Sequence, residues 1–128
     1  MNIPYNASLK PPAPFLPVSV SNLADVDRVP VSAKIDTGTD ISAIPAALID
    51  RLNLTPASEI VVEGYNGLQS TLYCYDVILR VDRLRVVGLS TIAFAEDYVL
   101  LGCDVLNLMR VLLDGPALST EVSFPLNQ

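Results

Sequence analysis

Residues 33–42 read Ala-Lys-Ile-Asp-Thr-Gly-Thr-Asp-Ile-Ser, an alternating segment that runs into Asp36-Thr37-Gly38. Val31, Ala33 and Ile35 are apolar, and the residues between them are polar. A period of two predicts a strand with one buried face. Asp36 then lies where the strand gives way to a loop. A carboxylate held there is a candidate reactive group, but Asp, Thr and Gly are also common turn residues, so this segment alone fits a simple turn as well.

The composition of the chain limits its class. A length of 128 residues with 51% hydrophobic residues predicts one globular domain with a substantial core. There are 14 acidic and 8 basic residues, and the absence of a basic patch argues against nucleic acid as a partner. No apolar run of about 18 residues is present, so we expect no membrane partner. With no signal peptide in the sequence, we expect a cytoplasmic protein.

The sequence also excludes several kinds of chemistry. It contains no histidine, which rules out Ser-His-Asp and Cys-His mechanisms and any histidine-based zinc site. The two cysteines, Cys74 and Cys103, are expected to be reduced and buried. No phosphate-binding glycine loop is present. We therefore expect no metal and no cofactor, and any catalysis must use carboxylate, Lys, Tyr or Cys side chains.

The first part of the chain is rich in proline, which fixes φ and donates no amide hydrogen. Five of the ten prolines lie there: Pro4, Pro11, Pro12, Pro14 and Pro17. We expect residues 1–15 to form an extended or loosely ordered arm, either an unstructured lead-in or a docking segment. Residues 16–128 form the predicted domain.

The next segments predict a hairpin and a short helix. Apolar strands at 15–20 and 29–35 form the hairpin that leads to Asp36. After an extended segment at 41–44, Pro45 is placed to begin a helix over residues 46–53.

A second hairpin is predicted around Gly64-Tyr65-Asn66-Gly67, because Asn-Gly is a strong hairpin signal. It is either an ordinary hairpin or a mobile one whose tip closes over a ligand. A long return strand begins near Leu68. Two short strands at 85–89 and 91–95 are expected to be separated by a break near Gly88-Leu89-Ser90.

The last segment predicts a short helix and a terminal hairpin. The apolar run at 98–101 ends at Gly102, and Asp104 is expected to cap a helix over 105–109. Strands at 110–113 and 118–124 follow. Many short strands with two small helices favour an all-β closed barrel.

Four features taken together resemble the retropepsin-like aspartic proteases, the single-domain relatives of pepsin. They are, in order, the strand into Asp36-Thr37-Gly38, the glycine-bearing hairpin at 64–67, the strand at 73–79, and the sequence Leu-Leu-Gly-Cys-Asp-Val-Leu at 100–106. The resemblance covers about residues 16–114. It implies a closed acid-protease barrel with a flap hairpin, and the activity of an aspartic endopeptidase.

The resemblance assigns roles residue by residue. Asp36 would be the catalytic carboxylate, Thr37 would hydrogen-bond across a dimer, and Gly38 would let substrate approach. Leu101 and Gly102 would pack beneath this loop. The residues implied to bind substrate are Asp40, Ile41, Glu63, Gly64, Tyr65, Asn66, Gly67 and Leu101, of which 63–67 form the flap.

The implied mechanism needs a second chain. Aspartic proteases activate water with two carboxylates that share one proton, because like charges so close cannot both ionise. This chain has one Asp-Thr-Gly, so a homodimer must supply Asp36 twice for a peptide or protein substrate. Subsite walls are expected from Ile41, Ala43, the flap and residues 99–101, which predicts cleavage between apolar residues.

Two departures leave alternatives open. Viral members usually carry an arginine at the position of Cys103, and that arginine braces the carboxylate corresponding to Asp40. At the position of Thr39, Ala or Ser is commoner. Because of Cys103 and the small flap, the chain could instead be a non-catalytic retropepsin-like module for dimerisation or peptide binding. A third alternative is an unrelated β-barrel that binds a small ligand, supported only by its tyrosines Tyr65, Tyr73, Tyr75 and Tyr98.

Overall fold

The computed structural model describes residues 1–64 and 66–125, and these contain ten strands and two short helices. The helices are α1 (Ala47–Arg51) and α2 (Cys103–Leu106). The strands are β1 (Asn2–Pro4), β2 (Phe15–Ser21), β3 (Arg28–Ile35), β4 (Ala43–Pro45), β5 (Ser58–Glu63), β6 (Gln69–Val81), β7 (Leu84–Phe94), β8 (Val99–Leu101), β9 (Arg110–Asp114) and β10 (Ser119–Ser123).

Six of these strands close into a barrel. Their order is β2-β3-β8-β4-β7-β6, and β6 pairs back to β2. β5 pairs with the first half of β6, so this hairpin continues beyond the barrel wall. The predicted all-β closed barrel is confirmed. Its interior is filled by the alternating apolar residues of the strands, such as Leu16 and Val20 of β2 and Ala33 of β3, all fully buried.

Two parallel pairings determine where the candidate site lies. β3 runs parallel to β8, with Ile35 opposite Leu101, and β4 runs parallel to β7. The C-terminal ends of β3 and β8 therefore lie side by side. As a result, the residues that follow these two strands, Asp36 and Gly102, become neighbours although they are far apart in the sequence.

A separate three-stranded sheet joins the two ends of the chain in the order β1-β10-β9. The predicted terminal hairpin is confirmed as β9 and β10. The expectation of a loosely ordered arm is wrong for Asn2–Pro4, which pair with residues 119–121 of β10. The amide of Val122 also donates to the carbonyl oxygen of Met1 at 2.8 Å. Proline leaves this strand intact because β1 is at the edge of its sheet, where a missing N–H is tolerated.

The expected break at Gly88 is also wrong, because β7 is one continuous strand. Val77 lies opposite Leu89, whereas Ile78 lies opposite Val87, so Gly88 is an extra residue in the ladder. Its φ of +74° is one that glycine adopts without steric cost. The glycine therefore marks a β-bulge rather than the end of a strand.

Both helix starts differ from the prediction. Pro45 ends β4 opposite Phe94 instead of beginning a helix, and α1 is shorter than residues 46–53. Gly102, not Asp104, lies at the N-terminus of α2. Asp104 is inside the first turn, and its carboxylate accepts hydrogen bonds from another loop rather than from the helix end.

The two cysteines agree only in part with the expectation that both are reduced and buried. Both cysteines are free thiols, but only Cys74 is buried; Cys103 is half-exposed because it begins α2 at the surface.

In the described part of the chain, neither helix is long enough to cross a membrane.

Candidate active site

Asp36 is held in a tight turn at the end of β3. Its backbone N–H donates to the carbonyl oxygen of Leu101 at 3.0 Å, which extends the β3–β8 pairing by one residue. Its Oδ1 accepts a hydrogen bond from the N–H of Gly38 at 2.9 Å. This is an Asx turn, in which an aspartate side chain bonds to the backbone two residues on. The turn interpretation is therefore correct, and the turn itself fixes the direction of the half-buried Asp36 carboxylate.

The backbone of this loop packs directly against Gly102, which is possible because Gly102 has no side chain. A methyl group on Gly102 would lie 2.9 Å from the carbonyl oxygen of Thr39 and 3.0 Å from the carbonyl carbon of Ile41. The φ of Gly102 is −92°, which any residue can adopt, so close packing rather than backbone conformation requires a glycine here.

The amides that begin α2 hold the same loop. Cys103 N–H donates to the carbonyl oxygen of Thr39 at 2.9 Å, and Asp104 N–H donates to that of Asp40 at 3.2 Å. The first N–H groups of a helix have no partner within the helix, so they are available for such contacts. The loop after β3 is thus bound to the start of α2 along its length.

Ser42 and Asp104 form a buried network that was not predicted from the sequence. The Ser42 N–H donates to Asp104 Oδ2 at 2.9 Å, and its Oγ donates to Asp104 Oδ1 at 2.7 Å. Ser42 Oγ in turn accepts from the N–H of Gly102 at 3.0 Å. Ser42 is fully buried. The single signal in the sequence was a serine inside the otherwise apolar segment 41–44.

Thr37 and Asp40 are exposed residues of the loop. The carbonyl oxygen of Thr37 accepts a contact from Cys103 Sγ at 3.4 Å. Among residues 1–64 and 66–125, the ion pairs involve Asp25 and Asp27 and not Asp40. Cys103 therefore contacts the loop backbone and does not brace Asp40 as an arginine would.

The hairpin of β5 and β6 forms a second group of candidate residues. Gly64 N–H donates to the carbonyl oxygen of Leu68 at 2.9 Å, and Gly67, with φ of +75°, donates to that of Gly64 at 3.0 Å. Glu63, Asn66 and Gly67 are exposed. Tyr65, the fifth residue implied in the flap, lies outside the described residues. The hydrogen bonds found at this tip are all local, so the described chain does not join it to the Asp36 loop.

The expected subsite walls are only partly accessible. Ala43, Val99 and Leu101 are 2%, 0% and 0% exposed, so their side chains face the barrel core. The assignment of Leu101 to substrate contact is therefore wrong, and its carbonyl oxygen instead holds Asp36. Ile41 and Leu100 are half-buried, which leaves part of each side chain at the surface.

Tyr98 lies next to this region on the segment before β8. Its ring packs edge-on against Phe15 and Phe94, with ring centroids 5.4 and 5.6 Å away. Burial raises the pKa of the Tyr98 phenol, and the negative charges of Glu96, Asp97 and Asp36 raise it further. The Asp36 carboxylate is therefore close enough to Tyr98 to influence its phenol, which spacing in the sequence did not indicate.

Solved structures with the same architecture identify the fold. A retropepsin-like aspartic protease from Rickettsia conorii matches with a TM-score of 0.60 at 13% identity, over 96% of this chain and 91% of that one. The simian foamy virus (mac) protease matches with a TM-score of 0.54 at 19% identity, over 71% and 89%. The retroviral protease-like domain of Ddi1 from Leishmania major matches with a TM-score of 0.50 at 16% identity, over 88% and 96%.

The sequence itself matches no protein-family model and no curated protein at a significant level. The structural matches show that the chain has the retropepsin-like fold, as its motifs indicated. An unrelated barrel is therefore rejected.

Proposed function

We propose that the protein is a homodimeric aspartic endopeptidase in which two copies of Asp36 activate a water molecule. The observation that supports this most directly is the orientation of the Asp36 carboxylate. One of its oxygens is bound by the amide of Gly38, and its backbone is bound to Leu101. A carboxylate used only as a turn-former would not require the surrounding loop to be held by β8, by Gly102 and by α2 as well.

The chemistry follows from two such carboxylates facing each other. Close like charges favour a state in which the pair holds one proton. The ionised carboxylate takes a proton from the water as it attacks the peptide carbonyl, while the protonated one donates to the carbonyl oxygen. Titration belongs to the pair of Asp36 residues and not to either one.

We further propose that the substrate is an extended peptide cleaved between apolar residues. The partly exposed side chains of Ile41 and Leu100 support this preference, since both are aliphatic. The β5–β6 hairpin would act as the flap, with exposed Glu63, Asn66 and Gly67 near its tip. Asp40, exposed beside the catalytic turn, would bind the main chain of the peptide.

The substitution Asp36→Asn tests the mechanism. The asparagine side chain keeps an oxygen for the Gly38 amide but removes the titrating group, so the fold is preserved. We expect peptidase activity at acidic pH on a library of apolar peptides to fall by at least ~100-fold, the lower range for loss of general acid–base catalysis. Pepstatin should inhibit the parent.

The matched control is Asp27→Asn, which changes a partly exposed aspartate that pairs with Arg51 and has no contact with the Asp36 loop in the described residues; it should leave activity unchanged. Activity that survives in Asp36→Asn would exclude the paired-carboxylate mechanism. A preference for charged residues on both sides of the cleaved bond would contradict the proposed specificity.

One observation favours the second candidate, a non-catalytic module that binds peptides or dimerises. Cys103 contacts the carbonyl oxygen of Thr37 through its thiol and leaves Asp40 without a guanidinium partner among the described residues. A parent chain that binds apolar peptides but cleaves none of them would support this candidate over the enzyme.

A further inference from the structure

The tip of the β5–β6 hairpin contains the one asparagine of the sequence that is followed by glycine, Asn66-Gly67. Asparagine is among the chemically labile residues of proteins. Its side-chain amide can be attacked by the backbone nitrogen of the next residue, and a side chain on that residue obstructs the attack. Every other asparagine of the chain precedes a residue that has a side chain. The sequence therefore singles out Asn66 for this chemistry.

The exposed side chain of Asn66 is folded back over the hairpin tip. Its Oδ1 accepts a hydrogen bond from the N–H of Leu68 at 3.1 Å, and it lies 3.3 Å from where a methyl group on Gly64 would be. This Asx turn keeps the side-chain carbonyl close to the main chain. A donor on Oδ1 also stabilises the negative charge that develops there when the amide carbon is attacked.

The attacking group is the backbone nitrogen of Gly67, whose N–H donates to the carbonyl oxygen of Gly64 at 3.0 Å. That bond must break before the nitrogen reacts, so it slows the attack. Among the described residues, however, the hydrogen bonds at this tip are all local, and residues 66–69 are exposed. A turn with so few buried contacts opens at little cost in free energy. The hairpin therefore delays the attack without preventing it.

We propose that Asn66 is a site of spontaneous modification, converted through a cyclic imide with Gly67 into aspartate and isoaspartate. The Gly67 nitrogen forms a bond to Cγ of Asn66, and the bond from Cγ to Nδ2 breaks. Nδ2 leaves as ammonia and takes with it the proton of the Gly67 amide. Water then opens the imide at either of its carbonyl groups. The net reaction exchanges ammonia for water and involves no oxidation.

The two products change the hairpin tip in different ways. Opening at Cγ yields aspartate, whose carboxylate keeps the bond to Leu68 and adds a negative charge. The Glu63 Oε1 lies 3.9 Å from where a methyl group on Gly67 would be, so two like charges then share one turn. Opening at the main-chain carbonyl yields isoaspartate, which routes the backbone through Cβ and lengthens the turn. The Gly67-to-Gly64 hydrogen bond then loses its geometry.

Peptide mapping by mass spectrometry of the folded chain tests the site. Trypsin releases residues 52–80 as one peptide, because no lysine or arginine lies between Arg51 and Arg80. After days at mildly alkaline pH, this peptide should show the mass difference between an amide and an acid, with fragment ions that place it at Asn66. Asn53, in the same peptide but followed by leucine, is the internal control and should stay unchanged. A fresh sample digested in parallel corrects for conversion during digestion.

The isolated peptide 52–80 measures the same reaction without the hairpin. The folded chain should react within about tenfold of this rate, since tenfold corresponds to about 1.4 kcal/mol of local opening. Gly67→Ala should slow conversion several-fold in both samples, because its methyl group obstructs the attack. If Asn66 keeps its amide in the folded chain while the peptide reacts, or if Asn53 converts as fast, the proposal is overturned.

The effect of the modification on activity is the one step that rests on the proposed function. If this hairpin closes over the substrate, peptidase activity of the parent should fall as Asn66 converts. Asn66→Gln, whose longer side chain closes an imide far more slowly, should keep its own starting activity over the same period. Full activity of the parent after conversion would overturn this effect.

The outcomes separate the modification site from the enzyme. Conversion of Asn66 in a chain that has no peptidase activity when fresh would leave the modification site standing and reject the proposed function. Activity that depends on Asp36, in a chain that keeps its Asn66 amide, would do the opposite.

Discussion

Gly102 shows how closely the loop that carries Asp36 is packed. The carbonyl oxygen of Thr39 and the carbonyl carbon of Ile41 both lie within about 3 Å of where a methyl group on Gly102 would be. Both neighbours are backbone atoms of the loop that carries Asp36, so they cannot move aside without moving that loop.

Gly102→Ala should therefore lower both stability and activity. We expect a loss of about 1–3 kcal/mol in the free energy of unfolding, the usual cost of forcing a methyl group into a well-packed site. Denaturant unfolding measures the stability, and peptide cleavage by the folded fraction measures the activity. Gly115→Ala is the matched control, since its added methyl group would meet nothing within 4 Å. Equal effects of the two substitutions would contradict the packing argument.

The sequence could predict Asp36 but not the residues that hold it. Asp36-Thr37-Gly38 is a contiguous pattern, and its turn depends on a bond between neighbours two residues apart. Ser42 and Asp104 are 62 residues apart, and each alone has an ordinary local interpretation, a strand serine and a helix cap. They become partners because β4, which follows Ser42, pairs with β8, with Ala43 opposite Leu100.

At the scale of elements, an ion pair joins the loop after β2 to the C-terminal end of β6. Asp25 accepts from both terminal nitrogens of Arg80 at 3.0 and 2.6 Å, and from Ser21 Oγ at 3.0 Å. Bonding to the Arg80 guanidinium holds the pKa of Asp25 well below its usual range, with Ser21 and Arg28 adding to the effect while burial opposes it.

This shift predicts how stability depends on pH. A carboxyl whose folded pKa is depressed stabilises the fold above its unfolded pKa of about 3.9, and loses that contribution as pH falls towards the folded value. Asp25→Asn should therefore lower stability at pH 6 and flatten its decline between about pH 5 and 2, measured as urea midpoints. Asparagine also tolerates the left-handed φ of +58° at this position. Asp27→Asn removes a single 3.6 Å contact with an exposed arginine instead of a paired hydrogen bond, so it should lower the urea midpoint at pH 6 far less than Asp25→Asn does.

The elements were predictable where their signals are local. The alternation of apolar and polar residues predicted the hairpin of β2 and β3 and the terminal hairpin. The errors at Gly88, at Pro45 and in the proline-rich arm share one cause. Glycine and proline taken alone predict a break, but pairing with another strand can accommodate them at a bulge, at a sheet edge or, as for Pro45, at the last residue of a strand. The number of short strands predicted a closed barrel, but it did not predict the order of the strands in that barrel.

At the scale of the whole molecule, one chain carries half of the proposed active site. If the active species is a dimer, its concentration falls with the square of the monomer concentration once the protein is diluted below its dissociation constant. Specific activity should then decline on dilution. A tandem fusion of two copies joined by a flexible linker should keep its specific activity constant over the same range. Constant specific activity of the unlinked parent across a thousandfold dilution below the micromolar range would indicate an active monomer.

The long separation between β3 and its partners also has a kinetic consequence. The amide of Asp36 needs the carbonyl oxygen of Leu101, and the contact of Cys103 with Thr37 spans 66 residues. Contacts of such high sequence separation slow folding, because a long loop must close before they form. During synthesis Asp36 leaves the ribosome long before β8 and α2 exist to orient it. In the proposed enzyme, peptide-bond hydrolysis would therefore wait until β8 and α2 have been synthesised and folded, so that neighbouring nascent chains would be spared premature cleavage.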